Sequence, residues 1–219
     1  MNLWKKDPAI ALWAHDRAVV STAGGLGGID EAGRGPLAGD VVAACVILNL
    51  ENEPIHGLND SKKLKAKERE RLFPIIQEKA LGFGIGSASP DEIDTLNILQ
   101  ATFLAMRRAL AAMSIPPALI LVDGNHPIPE LATPQKTVIG GDALSASIAA
   151  ASVLAKVTRD RRMVEMDKLY PDYGFAKHKG YGTEEHTDAL RRLGLCPIHR
   201  LSFCGDYLSM TRMFPAMRP

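Results

Sequence analysis

The sequence predicts an α/β fold, because short apolar runs typical of strands alternate with longer stretches that have helical periodicity. Residues 26–31 and 41–48 are two such runs joined by a glycine-rich turn, which indicates an antiparallel pair of strands. A third compact apolar run, residues 118–122, ends in Asp123 and Gly124. Open α/β sheets gather their reactive side chains at the ends of such buried strands.

The other elements follow in chain order. Residues 59–63 lead into a predicted helix that extends to about residue 80, with a break expected at Pro74. Residues 82–88 alternate glycine or small residues with apolar ones, which predicts a strand with a close neighbour. One long helix is expected from Ser89, its N-cap, because apolar residues then recur every three or four positions as far as Met113.

Three further elements are predicted after the strand that ends at Asp123. Residues 136–139 form a brief strand, and a second long helix extends from residue 143 to about 170. The first half of this helix consists of small residues, which lets it lie close to a sheet or to a bound backbone. A short helix is expected over residues 184–193.

Length and composition indicate one main domain. The chain has 219 residues, with 46% hydrophobic and 23% charged residues, and no run approaches the roughly 18 apolar residues of a membrane span. The three cysteines show neither a disulfide framework nor zinc-site spacing, as expected of a cytoplasmic protein. We expect an N-terminal appendage over residues 1–25, a main domain over residues 26–205, and a C-terminal tail over residues 206–219.

Four acidic residues stand at predicted ends of strands or helices, namely Asp30, Glu31, Asp123 and Asp142. If the fold brings them together, their oxygen ligands favour Mg²⁺ or Mn²⁺ over zinc. Two such ions could activate a water and stabilise a leaving oxygen in phosphodiester hydrolysis. Taken alone, Asp142 also fits the N-cap of the next helix, and Asp123 with Gly124 fits a turn, so these interpretations stay open.

Basic residues are concentrated locally although the net charge is only +1. Such surfaces suit phosphate backbones, but the first cluster also fits a solvated helix face balanced by Glu68 and Glu70. The spacing of Gly28 and Gly33 is that of a phosphate loop, but the Lys and the Ser or Thr that this motif requires are absent. The basic clusters are Lys62, Lys63, Lys65, Lys67, Arg69 and Arg71, and then Lys156, Arg159, Arg161 and Arg162.

Several segments, in the same order along the chain, resemble the motifs of bacterial ribonuclease HII. The resemblance implies an RNase H-like fold, with a mixed five-stranded sheet flanked by helices and a C-terminal helical part. The stretch of about 25 residues before the first strand is too short for the extra N-terminal domain of the related ribonuclease HIII. The matching segments are residues 28–39, 58–64, 122–125, 141–142 with 147–160, and 178–181, which together cover roughly residues 26 to 203.

The family pattern implies an endonuclease that cuts the RNA strand of RNA/DNA hybrids and incises on the 5′ side of single ribonucleotides embedded in DNA. Two divalent ions, Mn²⁺ or Mg²⁺, would be held by Asp30, Glu31, Asp123 and Asp142, and the products would carry a 3′-hydroxyl and a 5′-phosphate. The expected partners are these nucleic acids, no membrane partner is expected, and we expect a monomer. Any protein partner is unknown from the sequence.

The same resemblance implies a sensor for the ribose. Gly33, Arg34 and Gly35 would contact the 2′-hydroxyl, the group by which a protein distinguishes RNA from DNA. Tyr181 would stack on the sugar that follows the ribonucleotide, although an aromatic ring that packs a loop onto the core explains the residue equally well.

Phosphate contacts are implied for Lys62 and Lys63, and also for Ser145 and Ser147; such contacts position a duplex without reading its bases. His178 is a candidate proton donor for the leaving group, with an ordinary loop histidine as the alternative. Many relatives carry a lysine where this chain has Gly141, so a phosphate contact from that position is not expected here.

Two rival functions remain open. Another nuclease or strand-transfer enzyme of the same superfamily would also cluster carboxylates, but it would not need a 2′-hydroxyl. A non-catalytic module that binds hybrids is the second rival. The four acidic residues argue against this module, because a pure binder of a polyanion gains nothing from carboxylates near phosphate.

Overall fold

The computed structural model describes residues 7–20 and 25–207, and five strands form a mixed sheet in this part of the chain. In chain order they are β1 (Leu26–Ala32), β2 (Val41–Leu48), β3 (Ala80–Ala88), β4 (Leu119–Asp123) and β5 (Gln135–Val138). Their order across the sheet is β3-β2-β1-β4-β5. β1 and β3 are antiparallel to β2, whereas β4 is parallel to both β1 and β5. The expected mixed five-stranded sheet is confirmed.

Helices cover both faces of this sheet. In chain order they are α1 (Pro8–Val19), α2 (Ala66–Lys79), α3 (Pro90–Leu96), α4 (Ile98–Ala111), α5 (Ala146–Leu169), α6 (Phe175–His178) and α7 (Glu184–Leu193). Ala44 and Val46 of β2 share a core cluster with α1, α2 and α5, whereas Ala43 and Cys45 pack with α4. Because successive strand residues face opposite sides, a strand covered on both sides must be apolar throughout, as residues 41–48 are.

The long helix expected from Ser89 is two helices. Ser89 caps α3 as predicted, in a capping box with Glu92. Asn97 then adopts a positive φ of 71°, and its side chain accepts hydrogen bonds from the backbone N–H groups of Leu99 and Gln100 at the start of α4. Because the residue that interrupts the helix also caps the next one, the apolar periodicity is almost unchanged, and periodicity alone did not reveal the interruption.

The break expected at Pro74 is also wrong, because α2 continues through it. A proline inside a helix removes the hydrogen bond to the carbonyl four residues earlier, here that of Glu70. Glu70 is exposed, so water can satisfy this carbonyl. As expected, β3 has a close neighbour: a Cβ added at Gly84 would lie 2.0 Å from the carbonyl oxygen of Ala109 in α4.

The second long helix begins later than expected. A 3₁₀ turn spans Gly141–Ala143, and α5 begins at Ala146 with Ser145 as its N-cap. The interpretation of Asp142 as the N-cap is therefore wrong. The small residues do allow close packing, since a Cβ added at Gly28 of β1 would lie 2.2 Å from the backbone nitrogen of Ile148.

The predicted N-terminal appendage contains part of the main core. Asp7 caps α1 by accepting a hydrogen bond from the Ala9 N–H, and Ala9, Leu12 and Trp13 are buried against α5. Helix α1 therefore packs as part of the main domain. The predicted tail lies outside the described residues from position 208 onward. No helix within residues 7–20 and 25–207 has both the length and the apolar character needed to cross a membrane.

Candidate active site

Three carboxylates converge where the pairing of β1 with β4 ends. Ile29 pairs with Val122 across these parallel strands, so Asp30 and Asp123 occupy the next positions of neighbouring strands. Asp142 reaches the same place from the 3₁₀ turn after β5. A carboxylate oxygen of each aspartate lies within 4.8 Å of the other two. The structure thus brings together three of the four predicted acidic residues.

Glu31 lies beside this group but is directed elsewhere. Its backbone N–H donates to Oδ1 of Asp30 at 2.7 Å, while its Oε1 lies 3.5 Å from Nη1 of Arg34. Glu31 and the aspartates Asp30 and Asp123 line one cavity of about 430 Å³. The fourth acidic side chain is therefore available at the edge of the cluster rather than inside it.

Burial and mutual repulsion raise the pKa of three carboxyl groups in the site, those of Asp30, Glu31 and Asp123. Burial raises the pKa of Asp30 well above its ordinary value, and the charges of Glu31 and Asp123 raise it further. Burial also raises the pKa of Glu31, opposed by Arg34, and that of Asp123, where the charge of Asp142 adds to the effect. Such a group becomes stable when a cation is added, and a donor set of carboxylate oxygens fits a hard divalent ion.

One basic contact and one backbone contact hold this arrangement. Nζ of Lys62 donates to Oδ2 of Asp142 at 2.9 Å, and this hydrogen bond raises the pKa of Lys62. The N–H of Gly141 donates to Oδ1 of Asp123 at 2.7 Å. A Cβ at Gly141 would lie 2.5 Å from Cδ1 of Ile148, so a side chain here would have to displace that isoleucine.

The glycine-rich turn after β1 is held by two buried arginines that the sequence analysis did not single out as structural. Arg200 donates hydrogen bonds of 2.6–3.0 Å to the carbonyl oxygens of Gly33, Arg34, Pro36 and Gly39. Arg159 donates at 3.0 Å to the carbonyl oxygens of Ala38, Asp40 and Lys179.

The assignment of Arg159 to a phosphate-binding surface is wrong, because this side chain is buried. Helical spacing from the buried Ala155 and Met163 could have revealed its inward direction. For Arg200 the sequence around it offers no comparable signal.

Gly33 and Gly35 differ in how strongly the structure requires glycine. Gly33 has a φ of +97°, and a Cβ there would lie 2.1 Å from Nε of Arg159. Gly35 has no such backbone strain, and no atom lies within 4 Å of a Cβ built on it. The open space beside Gly35 faces the same cavity, which Arg34 also lines.

Tyr181 also lines this cavity and is 42% exposed. Its carbonyl oxygen accepts a hydrogen bond of 3.0 Å from Nδ1 of His186. The ring centroid lies 5.7 Å from Nζ of Lys156, which is another lining residue. The backbone of this loop is therefore fixed while the ring remains accessible.

Two predicted phosphate contacts are contradicted by burial. Ser145 and Ser147 are fully buried, so neither hydroxyl can meet a nucleic-acid backbone in this conformation. The Ser145 hydroxyl instead accepts a hydrogen bond from the Ile148 N–H. Lys63 is exposed, with Nζ 4.0 Å from a carboxylate oxygen of Asp60.

His178 is engaged inside the protein. Its Nε2 lies 2.7 Å from the carbonyl oxygen of Tyr173, and its Nδ1 accepts a hydrogen bond from the Gly180 N–H. Both ring nitrogens thus hold the loop before Tyr181, which favours the alternative of a structural histidine. The expected role as a proton donor is not supported by this arrangement.

Comparison with known proteins identifies the family. The family model described as ribonuclease HII matches residues 27–205. A ribonuclease HII of Desulfitobacterium hafniense (strain Y51) is 63% identical over 179 residues, which is 81% of this chain and 68% of the relative.

Solved structures share the fold. Ribonuclease H2 from Pyrococcus horikoshii OT3 has a TM-score of 0.70 at 26% identity, over 85% of this chain and 98% of that one. Bst-RNase HIII in complex with Mn²⁺ has a TM-score of 0.66 at 16% identity, over 90% of this chain and 73% of that one. The chain belongs to the ribonuclease HII family, the endonucleases that hydrolyse RNA in RNA/DNA hybrids.

Proposed function

We propose that this protein incises nucleic-acid duplexes on the 5′ side of a ribonucleotide, including a single ribonucleotide embedded in DNA, and leaves 3′-hydroxyl and 5′-phosphate ends. The observation that carries this proposal is a single cavity lined by carboxylates, an open glycine turn and an accessible tyrosine ring. Carboxylates suit the chemistry of a phosphodiester, and the turn and the ring suit the recognition of a sugar.

Asp30, Asp123 and Asp142 are the proposed ligands of two divalent ions, with Glu31 completing the set from its edge. The chemistry that Mg²⁺ or Mn²⁺ supplies in such a site is activation of a water and stabilisation of the leaving oxygen. The raised pKa values of Asp30, Glu31 and Asp123 support this assignment, because ion binding would relieve the repulsion that raises them.

Recognition of the 2′-hydroxyl is assigned to the turn Gly33, Arg34 and Gly35. Because Arg200 donates to the carbonyl oxygens of Gly33 and Arg34, the main chain of this turn can meet a sugar in one orientation. The unobstructed Gly35 lets the sugar approach closely. A preorganised turn of this kind favours discrimination, since little conformational entropy is lost on binding.

Tyr181 is assigned to the sugar of the following nucleotide, and Lys62, Lys63 and Lys156 to backbone phosphates. One chain carries every residue in this proposal, so we expect the protein to act as a monomer. Its three cysteines are free thiols, which agrees with a reducing cytoplasm.

Cleavage of three matched duplexes tests the proposal: DNA with one embedded ribonucleotide, an RNA/DNA hybrid and plain DNA, each with Mn²⁺, Mg²⁺ or a chelator. We expect metal-dependent cutting on the 5′ side of the lone ribonucleotide and no cutting of plain DNA. Cutting of plain DNA would instead favour another nuclease of the superfamily. Binding without cutting would favour a module that only binds hybrids.

The role of Tyr181 is tested on the same substrates. Tyr181→Ala removes the ring, and we expect a loss of about fivefold at a lone ribonucleotide, near the low end for lost stacking, with a smaller loss on a continuous hybrid. Tyr181→Phe keeps the ring and serves as the matched control. Equal losses on both substrates would show that the ring has only a structural role.

A further inference from the structure

Helix α1 lies outside residues 27–205, the part of the chain that matches the family model, yet it contacts the first turn of α5. The contact is made by Asp16, whose side chain is fully buried. Its Oδ2 accepts a hydrogen bond of 2.8 Å from the backbone N–H of Ser147. Its Oδ1 lies 3.0 Å from Nδ1 of His15.

The first turn of a helix has N–H groups without partners inside the helix and carries partial positive charge, so a carboxylate there is favourable. Ser145 supplies the usual cap by accepting from the Ile148 N–H. Asp16 supplies a second acceptor from a different helix, and it is a buried carboxylate. Burial of a carboxylate costs free energy unless hydrogen bonds compensate for it. Leu12 of the same helix provides apolar packing without this cost, so packing alone does not explain a carboxylate at position 16.

The residue after Ser147 connects this contact to the acidic cluster. Ile148 is fully buried, and its side chain packs so closely on Gly141 that an added Cβ there would lie 2.5 Å from Cδ1 of Ile148. Gly141 donates its N–H to Oδ1 of Asp123 and directly precedes Asp142. Asp16 is therefore linked, through one hydrogen bond and one packing contact, to the residue that adjoins two converging carboxylates.

The C-terminal end of α1 also contacts the cluster that contains Ile148. Val19 and Val20 pack against the cluster of Leu26, Leu121 and Ile148. The first turn of α5 is thus enclosed between β1, which Gly28 brings into contact with Ser147 and Ile148, and α1 on the other side.

We propose that Asp16 is a positioning residue for the metal centre: it fixes the first turn of α5 and thereby the spacing between Asp142 and Asp123. This inference rests on the proposed metal site. Asp16 acts through Ser147 and Ile148 and does not touch the ions or the substrate.

The test compares Asp16→Ala with Leu12→Ala in the full-length protein. Both variants remove a buried side chain of α1, but only the first removes the acceptor of the Ser147 N–H. Mn²⁺ affinity is measured by calorimetry without nucleic acid, below the unfolding transition of either variant. Hydrogen exchange is followed in peptides that cover residues 139–150.

We expect Asp16→Ala to weaken Mn²⁺ binding about tenfold, the low end for groups that orient metal ligands, and to speed exchange in residues 139–150. Leu12→Ala should bind Mn²⁺ like the wild type even though it is less stable. Asp16→Asn keeps an acceptor oxygen and should restore most of the affinity. If Asp16→Ala does not fold, Asp16→Ser takes its place, because its hydroxyl is too short to reach Ser147.

Equal Mn²⁺ affinities for the Asp16 and Leu12 variants would overturn the inference and leave Asp16 with a stabilising role only. Wild-type protein that binds no Mn²⁺ would overturn both this inference and the proposed metal centre. Wild-type protein that binds Mn²⁺ but does not cut at ribonucleotides would refute the proposed function alone, since the positioning effect is measured on metal binding.

Discussion

Two groups of buried or half-buried charged side chains lie near the turn after β1, and they differ in how their charges are satisfied. Asp30, Asp123 and Asp142 face one another, and burial with mutual repulsion raises the pKa of the first two. Arg159 and Arg200 instead donate to backbone carbonyl oxygens along the turn. Burial lowers the pKa of Arg200 to about 10, which leaves it charged at neutral pH.

This difference distinguishes side chains suited to bind a ligand from side chains that hold a loop in place. The three carboxylates share one neighbouring ammonium group, that of Lys62, so together they keep an excess of negative charge and are suited to accept a cation. The guanidinium groups already have their acceptors, so they are suited to hold a loop in one shape. Charge at a buried position therefore indicates a ligand site only when its partners within the protein are insufficient.

The largest expected effect comes from neutralising one carboxylate. Asp123→Asn should lower cleavage at a lone ribonucleotide by about 10²–10³-fold, a loss comparable to that of one group that stabilises the transition state electrostatically. Its melting temperature should stay equal or rise, because one repelling charge is gone. Asp188→Asn, at an exposed site on α7, is the control. Unchanged cleavage by Asp123→Asn would remove this residue from the metal site.

Removal of a supporting arginine should instead lower the stability of the protein. Arg200→Ala leaves several buried carbonyl oxygens without donors, so we expect the free energy of unfolding to fall by about 3 kcal/mol or more. Arg200→Lys should recover little of it, since an ammonium cannot reproduce the planar fork. Urea denaturation measures both variants. A stable Arg200→Ala protein would show that water replaces the guanidinium.

Substitutions at Gly33 and Gly35 should separate the structural part of the turn from the part that contacts the substrate. Gly33→Ala should cost about 1–3 kcal/mol in stability because of its positive φ and the contact with Arg159. Gly35→Ala should keep the wild-type melting temperature, yet bind ribonucleotide-containing duplexes more weakly. Thermal unfolding and equilibrium binding separate the two effects. Wild-type binding by Gly35→Ala would show that no sugar approaches that position.

The smallest effect is a pH dependence of stability. Because folding raises the pKa of Asp30, the folded protein holds this proton more tightly than the unfolded chain does. Its contribution to stability therefore falls as the pH rises from the ordinary carboxyl range through the raised pKa. The stability of wild type minus that of Asp30→Asn should decline over this range, and Mn²⁺ should reverse the decline. Urea unfolding at a series of pH values, with and without Mn²⁺, measures it; a constant difference would contradict the raised pKa.

Much of this fold could be predicted from local sequence. The α/β class, the first antiparallel strand pair and the close neighbour of β3 follow from apolar periodicity and glycine placement, which depend on a few adjacent residues. The break at Asn97 and the unbroken helix at Pro74 were missed, because each is decided by how one backbone group is satisfied.

The functional site could likewise be predicted only in part. Asp30 and Asp123 could be recognised at strand ends, where the register of β1 and β4 brings them together. The burial of Ser145 and Ser147 could not be predicted from the sequence, because it depends on α1 and β1 enclosing the start of α5. Side-chain type gives a residue its chemistry, but neighbours distant in sequence decide whether that chemistry reaches solvent.

The sequence alone determined the α/β class, the family motifs and the oxygen ligands gathered near strand ends, because these depend on residue type and spacing. Only the tertiary structure decided which charges face a cavity and which support a loop. Arg159 and Lys156 stand three positions apart on α5, yet the first is buried against the turn and the second lines the cavity. The physical reason is that spacing along α5 places Arg159 on one face with Ala155 and Met163, but only packing between elements decides which faces of the helix are covered.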